Sequence, residues 1–249
     1  MCLIVVGWRS HPDYPLVVAA NRDEFYARPS SPIARWPDAP QVIGGLDLEA
    51  GGTWLGITES GRFAAVTNVR EPGMAKGDCS RGTLTRDFLT ANTSADNFAA
   101  QIDCRRYSGF NLLLGNGDSL VYCSNRDGQP RRLAPGIYGL SNHLLDSPWP
   151  KLLAARQRFG EALPGLPDES AFFKLLADQV IVDDENLPAT GVSIEWERLL
   201  SAIFVKSANY GTRASTLAWQ RADGAICVHE QSFGPNGQPL QSSVISTSV

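Results

Sequence analysis

The chain has 249 residues, of which 43% are hydrophobic and 19% are charged, and its formal net charge is −4. This is ordinary globular composition with enough apolar material for a core, and the length fits one domain covering residues 1–249. A mildly acidic chain without clusters of lysine and arginine argues against a nucleic-acid partner and against an anionic membrane surface.

The first elements predicted along the chain are two apolar strands. Residues 2–8 and 16–20 are separated by a turn that contains two prolines and an aspartate, so they are expected to pair as a hairpin. The second strand runs into the sequence Asn-Arg-Asp-Glu at residues 21–24, which puts a polar cluster at the end of the strand. Residues 27–40 are rich in proline and serine, and we expect them to form an irregular surface loop.

Short strands and helices are predicted along the rest of the chain from periodicity, turn residues and helix caps. In order, these are strands over 53–58 and 62–68, a loop over 70–79, helices from Ser80 to about 91 and from Ser94 to about 103, strands over 110–115, 120–124 and 137–141, helices from Pro150 to about 163 and from Asp168 to about 180, a loop over 183–194, a helical piece over 195–200, and strands over 213–221 and 225–231. Hairpins at both ends, with helix pairs between them, favour antiparallel sheets covered by helices over alternating βαβ units.

The five cysteines and three histidines do not form a metal-binding pattern. The cysteines are widely spaced and include no Cys-x-x-Cys pair, and the histidines are scattered along the chain. Zinc sites normally use closely spaced ligands, so we predict no metal site and expect most of the cysteines to be reduced.

The sequence also bears on where the protein works. Its apolar runs are shorter than the ~20 residues that span a bilayer. The first residues lack the charged region and cleavage site of a signal peptide. We therefore expect a cytoplasmic protein without a membrane span.

Cys2 is the residue with the clearest route to reactivity. A methionine that precedes a small residue is readily removed, which would leave Cys2 with a free α-amino group. Such a group has a pKa of about 7.7–8.0, so it can accept the thiol proton, and one residue then supplies both nucleophile and base. The predicted hairpin brings Arg22 and Asp23 back beside Cys2, where Arg22 would lower the thiol pKa and Asp23 would hold the α-ammonium.

Each of these residues also has a plainer structural interpretation. A cysteine in a buried strand is often only a core residue. Arg22 and Asp23 fit an ion pair or a solvated strand end equally well. Because single residues predict function weakly, Cys2 alone favours the structural interpretation.

Short motifs in a fixed order carry a family resemblance. An N-terminal Met-Cys precedes the Asn-Arg-Asp-Glu sequence, and further motifs follow at residues 51–56, 66–70, 139–142, 148–151 and 210–213. Four letters alone are weak, but the ordered set spans nearly the whole chain. On this resemblance the chain is identified as a member of the NRDE protein family, which includes the transport and Golgi organisation protein 2 relatives.

The NRDE family is similar to the N-terminal-nucleophile hydrolases, in particular the choloylglycine hydrolase and penicillin V acylase group. The resemblance implies an α+β fold, a four-layer αββα sandwich of antiparallel sheets. It also implies an N-terminal cysteine that cleaves a non-peptide amide bond of a small-molecule substrate, with no cofactor required. Matched by motif, Cys2 is the nucleophile, and Arg22 and Asp23 are the pair that tunes and holds it.

Three further residues receive roles from the same resemblance. Asn142 matches an asparagine of the oxyanion hole, and Asn68 is the loosest match, as a second oxyanion or substrate donor. Arg213 looks like the arginine that closes the site from a late strand. Taken singly, the asparagines fit local backbone caps and the arginine fits a surface charge, so only the joint pattern favours a shared site.

A carrier is the alternative function, because NRDE relatives have been linked to haem movement and to lipid or acyl-CoA homeostasis. The protein would then bind haem or another hydrophobic ligand on a hydrolase scaffold, since fold does not fix function. The sequence has no Cys-x-x-Cys-His motif, and His143, beside the implied site, is the candidate axial ligand. A docking module that uses the 27–40 loop with Trp36, Trp54 and Trp149 ranks third. For each of these functions, the protein could act as a monomer or as a homo-oligomer.

Overall fold

The structure is a computed structural model that describes residues 2–74 and 76–247. Its strands, in chain order, are β1 (Cys2–Trp8), β2 (Leu16–Phe25), β3 (Ser30–Trp36), β4 (Ala39–Asp47), β5 (Leu55–Thr58), β6 (Arg62–Asn68), β7 (Phe110–Asn116), β8 (Ser119–Ser124), β9 (Arg131–Arg132), β10 (Gly136–Leu140), β11 (Tyr210–Gln220), β12 (Ile226–Gly234) and β13 (Gln238–Ser246). Its α-helices are α1 (Arg81–Thr90), α2 (Ala95–Gln101), α3 (Pro150–Ala162), α4 (Ser170–Leu176) and α5 (Ile194–Ser201). Among these described helices, none has the length and apolar character needed to cross a membrane.

The described strands form two antiparallel sheets. The first sheet has the order β10-β1-β2-β11-β12-β13, and the second has the order β3-β4-β5-β6-β7-β8-β9. Hairpins of consecutive strands build most of both sheets, but β2 pairs with β11, which lies far away in the sequence. The first sheet is therefore complete only when the last part of the chain returns to its first strands.

Side chains on the two faces of β1 enter different apolar layers. Ile4 and Val6 face the second sheet and belong to the core between the sheets. Leu3 and Val5 face the other way and pack with Phe159 of α3, because successive residues of a strand point to opposite faces. Helices α3 and α4 therefore cover the outer face of the first sheet.

The second sheet is divided in the same way. Phe63 and Ala65 of β6 belong to the core between the sheets, whereas Ala64 and Val66 pack with Phe88 of α1 on the outer face. Helices α1 and α2 both contact this outer face. The layers run helices, sheet, sheet, helices, which confirms the α+β four-layer αββα sandwich implied by the resemblance.

The surface loop predicted for residues 27–40 is wrong. The structure forms β3 and the start of β4 there, and Ile33 and Trp36 are buried. The Trp36 indole Nε1 donates a hydrogen bond to the carbonyl of Gly44 at 3.0 Å, which ties β3 to β4. Pro32 is tolerated because β3 is an edge strand and its register with β4 shifts at this point.

Other elements also differ from the sequence prediction. Strand β2 continues through residues 21–24, so the polar cluster lies inside the strand and not after it. No strand is predicted over β13, because its residues are mostly exposed and lack apolar alternation. Helix α4 ends at Leu176, short of the predicted end near residue 180.

Asn21 fixes the polar part of β2 to the helix layer. Its side chain is 1% exposed, and its Nδ2 donates to the carbonyls of Leu176 at 2.8 Å and Ile203 at 2.9 Å. The Ser215 hydroxyl of β11 donates to Asn21 Oδ1 at 2.6 Å. This asparagine therefore satisfies three buried groups that have no contact with solvent, which makes it a structural member of the motif.

We predict that Asn21→Ala lowers the free energy of unfolding by about 2–4 kcal/mol, since each buried polar group left without a partner costs about 1–3 kcal/mol. Equilibrium denaturation in urea measures the change. The matched control is Asn97→Ala, an exposed position on α2, where we expect a change within about 0.5 kcal/mol. Equal stability of the two variants would show that the Asn21 hydrogen bonds contribute little.

Candidate active site

Pairing of β1 with β2 brings Cys2 and Arg22 side by side. The two residues lie directly opposite each other in the antiparallel register. Cross-strand partners project from the same face with Cβ atoms about 4.5–5.5 Å apart. Here that face is turned toward the second sheet, since Ile4 and Ala20 on the same face belong to the core between the sheets.

Four of the six residues assigned by the resemblance line one cavity. Cys2, Arg22, Asp23 and Asn68 share a cavity of about 340 Å³. Further lining comes from residues 76–82, which include the start of α1. The volume lies within the range that is typical of small-molecule sites.

Asp23 is the next residue after Arg22 and lies on the opposite face of β2. It is 2% exposed, and the hydroxyl of Thr212 on β11 donates a hydrogen bond to its Oδ1 at 2.7 Å. Burial raises the pKa of Asp23 above its ordinary value, and the charge of Lys151, the Thr212 hydrogen bond and the charge of Arg22 offset part of this rise. These three neighbours favour the ionised carboxylate, which is the form that can hold an ammonium group.

Arg22 is buried between an aromatic ring and an acidic side chain. Its side chain is 6% exposed, its Cζ lies 4.4 Å from the centroid of the Trp54 ring, and its Nη2 lies 3.9 Å from the carboxylate of Glu24. Its Nη1 has no hydrogen-bond partner within the described residues. A buried N–H without a partner is costly, so this nitrogen is an unsatisfied donor within the wall of the cavity.

The surroundings of the Cys2 thiol favour its neutral form. Cys2 is partly buried. Burial raises the pKa of the thiol and the Asp23 carboxylate raises it further, whereas the Arg22 guanidinium lowers it. Because the thiolate is the nucleophilic form, a reactive Cys2 needs a nearby base. The base implied by the sequence is the α-amine left by removal of Met1, and Met1 lies outside the described residues.

Asn142 lies beside the end of β6. It is 1% exposed, and its Nδ2 donates to the main-chain oxygen of Asn68 at 3.1 Å. The main-chain N–H of Arg70 donates to the Asn142 carbonyl at 2.8 Å. The bond to Asn68 uses one of the two N–H groups of the Asn142 carboxamide, and Asn142 is not among the residues that line the cavity that contains Cys2.

Arg213 lies at a β-bulge in β11. The register with β2 shifts between Thr212 and Ala214, which leaves Arg213 as the extra residue. Its Nη1 donates to the main-chain oxygens of Phe25 at 3.3 Å and of Arg28. The bulge therefore lets Thr212 reach the carboxylate of Asp23, while Arg213 binds the main chain at the end of β2 and just after it.

Arg213 lines a second cavity beside the first. This cavity has a volume of about 160 Å³ and is also lined by Arg22 and Trp54. The same two side chains line the cavity that contains Cys2. The stacked side chains of Arg22 and Trp54 therefore form a wall between the two cavities. Cys2 lines the cavity on one side of this wall, and Arg213 lines the cavity on the other side.

A cluster of buried charged residues lies close to the site, and the sequence analysis assigned no role to any of them. Lys151 in α3 is 6% exposed and its Nζ donates to the carbonyl of Leu200 at 2.7 Å. Burial lowers the pKa of Lys151 to about 8, and the charges of Asp23 and Cys2 oppose this shift. Arg70 forms an ion pair with a buried glutamate of α5 at 2.8 Å. Both cations lie in the motifs at residues 66–70 and 148–151 that carry the family resemblance, and this is the sequence signal that points to them.

The described residues contain no group of three or more His, Cys, Asp and Glu side chains placed to hold a metal ion. His143 is exposed, and its Nδ1 lies 2.7 Å from the hydroxyl of Ser147. Ionisable side chains supply much of the cavity lining, among them Arg28, Asp47 and Arg81. Such a lining suits a polar ligand better than a porphyrin or an acyl chain, because charged groups lose hydration when they are covered by apolar surface.

Comparison with known sequences gives consistent matches. The family model described as Transport and Golgi organisation 2 matches residues 1–235. The Transport and Golgi organization protein 2 homolog of Bos taurus is 36% identical over 241 residues, covering 86% of this chain and 87% of the relative. The homolog of Homo sapiens is 35% identical over 240 residues, with the same two shares.

Two solved structures share the fold. A Caenorhabditis elegans N-acylethanolamine-hydrolyzing acid amidase ortholog aligns with a TM-score of 0.52 and 14% identity, over 87% of this chain and 92% of that chain. A mutant conjugated bile acid hydrolase from Clostridium perfringens aligns with a TM-score of 0.55 and 9% identity, over 99% of this chain and 92% of that chain. At these identities the likeness concerns the fold alone.

We predict that the stability difference between the wild-type protein and Lys151→Met depends on pH. Lys151 loses its proton near pH 8 in the folded protein, whereas an unburied lysine keeps it to about pH 10.5. The unfolded chain therefore binds more protons between these values, and the wild-type free energy of unfolding should rise relative to the variant by about 3 kcal/mol from pH 8 to pH 10.5.

Urea denaturation of both proteins across this pH range measures the effect. Lys174→Met is the matched control, because Lys174 is an exposed lysine on α4. Its stability difference from wild type should not change with pH. A difference for Lys151→Met that is also independent of pH would contradict the lowered pKa.

Proposed function

The chain belongs to the Transport and Golgi organisation 2 family, and we propose that it is an N-terminal cysteine amidohydrolase that cleaves a non-peptide amide bond of a small molecule. One observation carries this proposal: Cys2 pairs with Arg22 in a cavity that Asp23 and Asn68 also line. The fold adds support, since it is similar to the folds of an acid amidase ortholog and a bile acid hydrolase.

In the first half of the proposed reaction, Cys2 becomes acylated. Removal of Met1 exposes the α-amine of Cys2, which takes the thiol proton near neutral pH. The sulfur attacks the amide carbonyl, forming a carbon–sulfur bond and a tetrahedral oxyanion. As the carbon–nitrogen bond breaks, the ammonium gives its proton to the leaving amine, and a thioester remains on Cys2.

Water completes the reaction in the second half. The α-amine accepts a proton from water as the water oxygen attacks the thioester carbon. The carbon–sulfur bond then breaks, the carboxylic acid leaves, and the thiol of Cys2 recovers its proton. Asp23 holds the α-ammonium during both halves, and Arg22 lowers the thiol pKa from the paired position on β2.

Amide groups at the end of β6 would stabilise the oxyanion. Asn68 lines the cavity that contains Cys2, and Asn142 is hydrogen-bonded to the Asn68 main chain with one of its two N–H groups. Loss of one oxyanion donor raises the barrier of acyl transfer by ~2.7–4 kcal/mol in enzymes of this type. Arg213 lines the second cavity, which leaves room for the part of the substrate that extends beyond Arg22.

The carrier alternative, with haem or another hydrophobic ligand, has weaker support. The ionisable lining of the cavity disfavours an apolar ligand, and His143 is exposed to solvent. A reaction of the kind proposed needs no cofactor, since one residue supplies both nucleophile and base. A small-molecule substrate and a cytoplasmic location are part of the same proposal.

We predict that Cys2→Ala folds like the wild-type protein but releases no amine from amide substrates. The reason is that the substitution removes the only group that forms the acyl intermediate. A panel of N-acyl p-nitroanilides with polar and apolar acyl groups reports turnover by absorbance, and thermal unfolding reports folding. Mass spectrometry of wild-type protein during turnover should show an acyl group on the Cys2 peptide.

The matched control is Cys104→Ala, a partly buried cysteine outside the residues that line the cavity. It should keep wild-type turnover. Turnover that survives Cys2→Ala would rule out the mechanism. A wild-type protein that cleaves no amide, but whose haem titration gives a spectral shift that survives Cys2→Ala, would favour the carrier.

A further inference from the structure

The first turn of α1 lines the cavity without a side-chain cap. Ser80 occupies the N-cap position, but its hydroxyl makes no capping hydrogen bond, and the first turn has no acidic residue. Ser80, Arg81 and Gly82 all line the cavity that contains Cys2. The first N–H groups of a helix have no partner within the helix and carry a partial positive charge, which favours an anion.

Arg81 adds a full positive charge at the same place. Its Nη1 donates to the carbonyl of Gly109 at 3.1 Å, and no carboxylate lies within 4.0 Å of its guanidinium in the described residues. Burial lowers the pKa of Arg81, and the negative charges of Cys2, Glu24 and Glu71 oppose this shift, although neither carboxylate is in direct contact with the guanidinium. The guanidinium therefore carries a charge that the described part of the protein leaves without a direct counterion.

Three other cations line the same cavity, and one of them, Arg28, is already paired with Asp47. Lys76 is exposed and has no ion-pair partner among the residues described. Arg22 is more informative, since its side chain is 6% exposed and its buried Nη1 has no hydrogen-bond partner in the described segments. A buried, unpartnered guanidinium nitrogen in a cavity wall is a second and independent sign of a ligand with oxygen acceptors.

The carboxylates of the cavity are already engaged or lie at its edge. Asp47 is bound by Arg28 at 2.7 Å, and Glu24 lies near Arg22 at 3.9 Å and near Arg28 at 4.0 Å. Asp23 accepts the hydroxyl of Thr212 on the opposite face of β2, and Asp78 is exposed. The engaged carboxylates therefore leave Arg81 and Lys76 at the α1 end of the cavity, where the exposed Asp78 offsets one of these two charges.

We infer that the α1 end of this cavity binds an anionic group of the substrate, a carboxylate or a phosphate, with Arg81 as its main charged ligand. This inference rests on the proposed function and narrows its substrate class. The substrate would be an amide that carries a negative charge a few bonds away from the scissile carbonyl, as N-acyl amino acids and phosphorylated amides do. Lys76 would add attraction from the rim, and Arg22 would supply a hydrogen bond from the opposite side.

Alkylation of Cys2 tests this inference without knowledge of the substrate. Iodoacetate and iodoacetamide are nearly equal in shape but differ by one negative charge. The rate constant of iodoacetate at Cys2 is divided by that of iodoacetamide, both measured by peptide mass spectrometry at neutral pH and low salt. This ratio is then divided by the same ratio for a short peptide with an N-terminal cysteine, which gives the normalised ratio. We expect a normalised ratio of about 10 or more, because clefts of one charge sign raise association rates by about 10–1,000-fold. A normalised ratio of 1 or less would overturn the inference.

Variants assign the preference to particular side chains. Arg81→Gln and Lys76→Gln should each bring the normalised ratio toward 1, whereas Arg81→Lys should keep most of it. Lys174→Gln, which removes an exposed charge on α4, is the matched control and should keep the wild-type ratio. Because Lys76 is exposed, its substitution tests the inference even if Arg81→Gln does not fold. Wild-type ratios in both glutamine variants would overturn the assignment.

A binding measurement separates this inference from the proposed function. If Cys2 reacts with neither reagent, the hydrolase mechanism fails, and the anion subsite is decided by thermal unfolding in the presence of N-acetylglycine or inorganic phosphate. Stabilisation of the wild-type protein that Arg81→Gln lacks supports the subsite, and the stronger of the two probes identifies the anion. The inference would be overturned if each probe stabilised Arg81→Gln as much as it stabilises the wild-type protein.

Discussion

The antiparallel pairing of β1 with β2 is the constraint on which the site depends. It sets Cys2 opposite Arg22, so that thiol and guanidinium project from one face toward the second sheet. A shift of one residue would turn the thiol toward the helix layer, because neighbouring strand residues point to opposite faces. The hydrogen bonds of Asn21 to Leu176 and Ile203 hold β2 against the helix layer and so fix which side chains of β2 face that layer.

Alternation along β2 divides the Asn-Arg-Asp-Glu motif between two layers. Asn21 and Asp23 point toward the helix side of the first sheet, whereas Arg22 and Glu24 point toward the space between the sheets. One short motif therefore anchors a strand, supplies a buried carboxylate beside the start of β1 and forms one wall of the cavity. Strand β11 completes this arrangement, since the Thr212 hydroxyl meets the carboxylate only where β2 and β11 pair.

Sequence patterns predicted the parts that depend on local signals. The hairpin that joins Cys2 to Arg22 follows from two apolar strands and a proline turn, and the ordered motifs identified the family and its fold. The bond from Thr212 to Asp23 was beyond prediction, because it joins strands that lie far apart in the sequence. Lys151 was missed because a lysine in the first turn of a helix is normally exposed, and only tertiary packing buries it.

The strands over residues 27–40 were missed for a related reason: proline and serine weaken the strand pattern, and burial of Trp36 overrides it. The roles of Cys2, Arg22, Asp23, Asn68, Asn142 and Arg213 in catalysis stay predictions, because position in a cavity does not establish turnover.

Condensation with 2-cyanobenzothiazole tests the central claim most directly, because this reagent requires a thiol and a free α-amine on the same residue. The purified native protein is treated briefly, and the adduct is counted by intact mass and located by peptide mapping. We expect one adduct per molecule, at Cys2, with the other four cysteines unmodified. Absence of any adduct, even after denaturation, would show that Cys2 carries no free α-amine and would contradict the proposed mechanism.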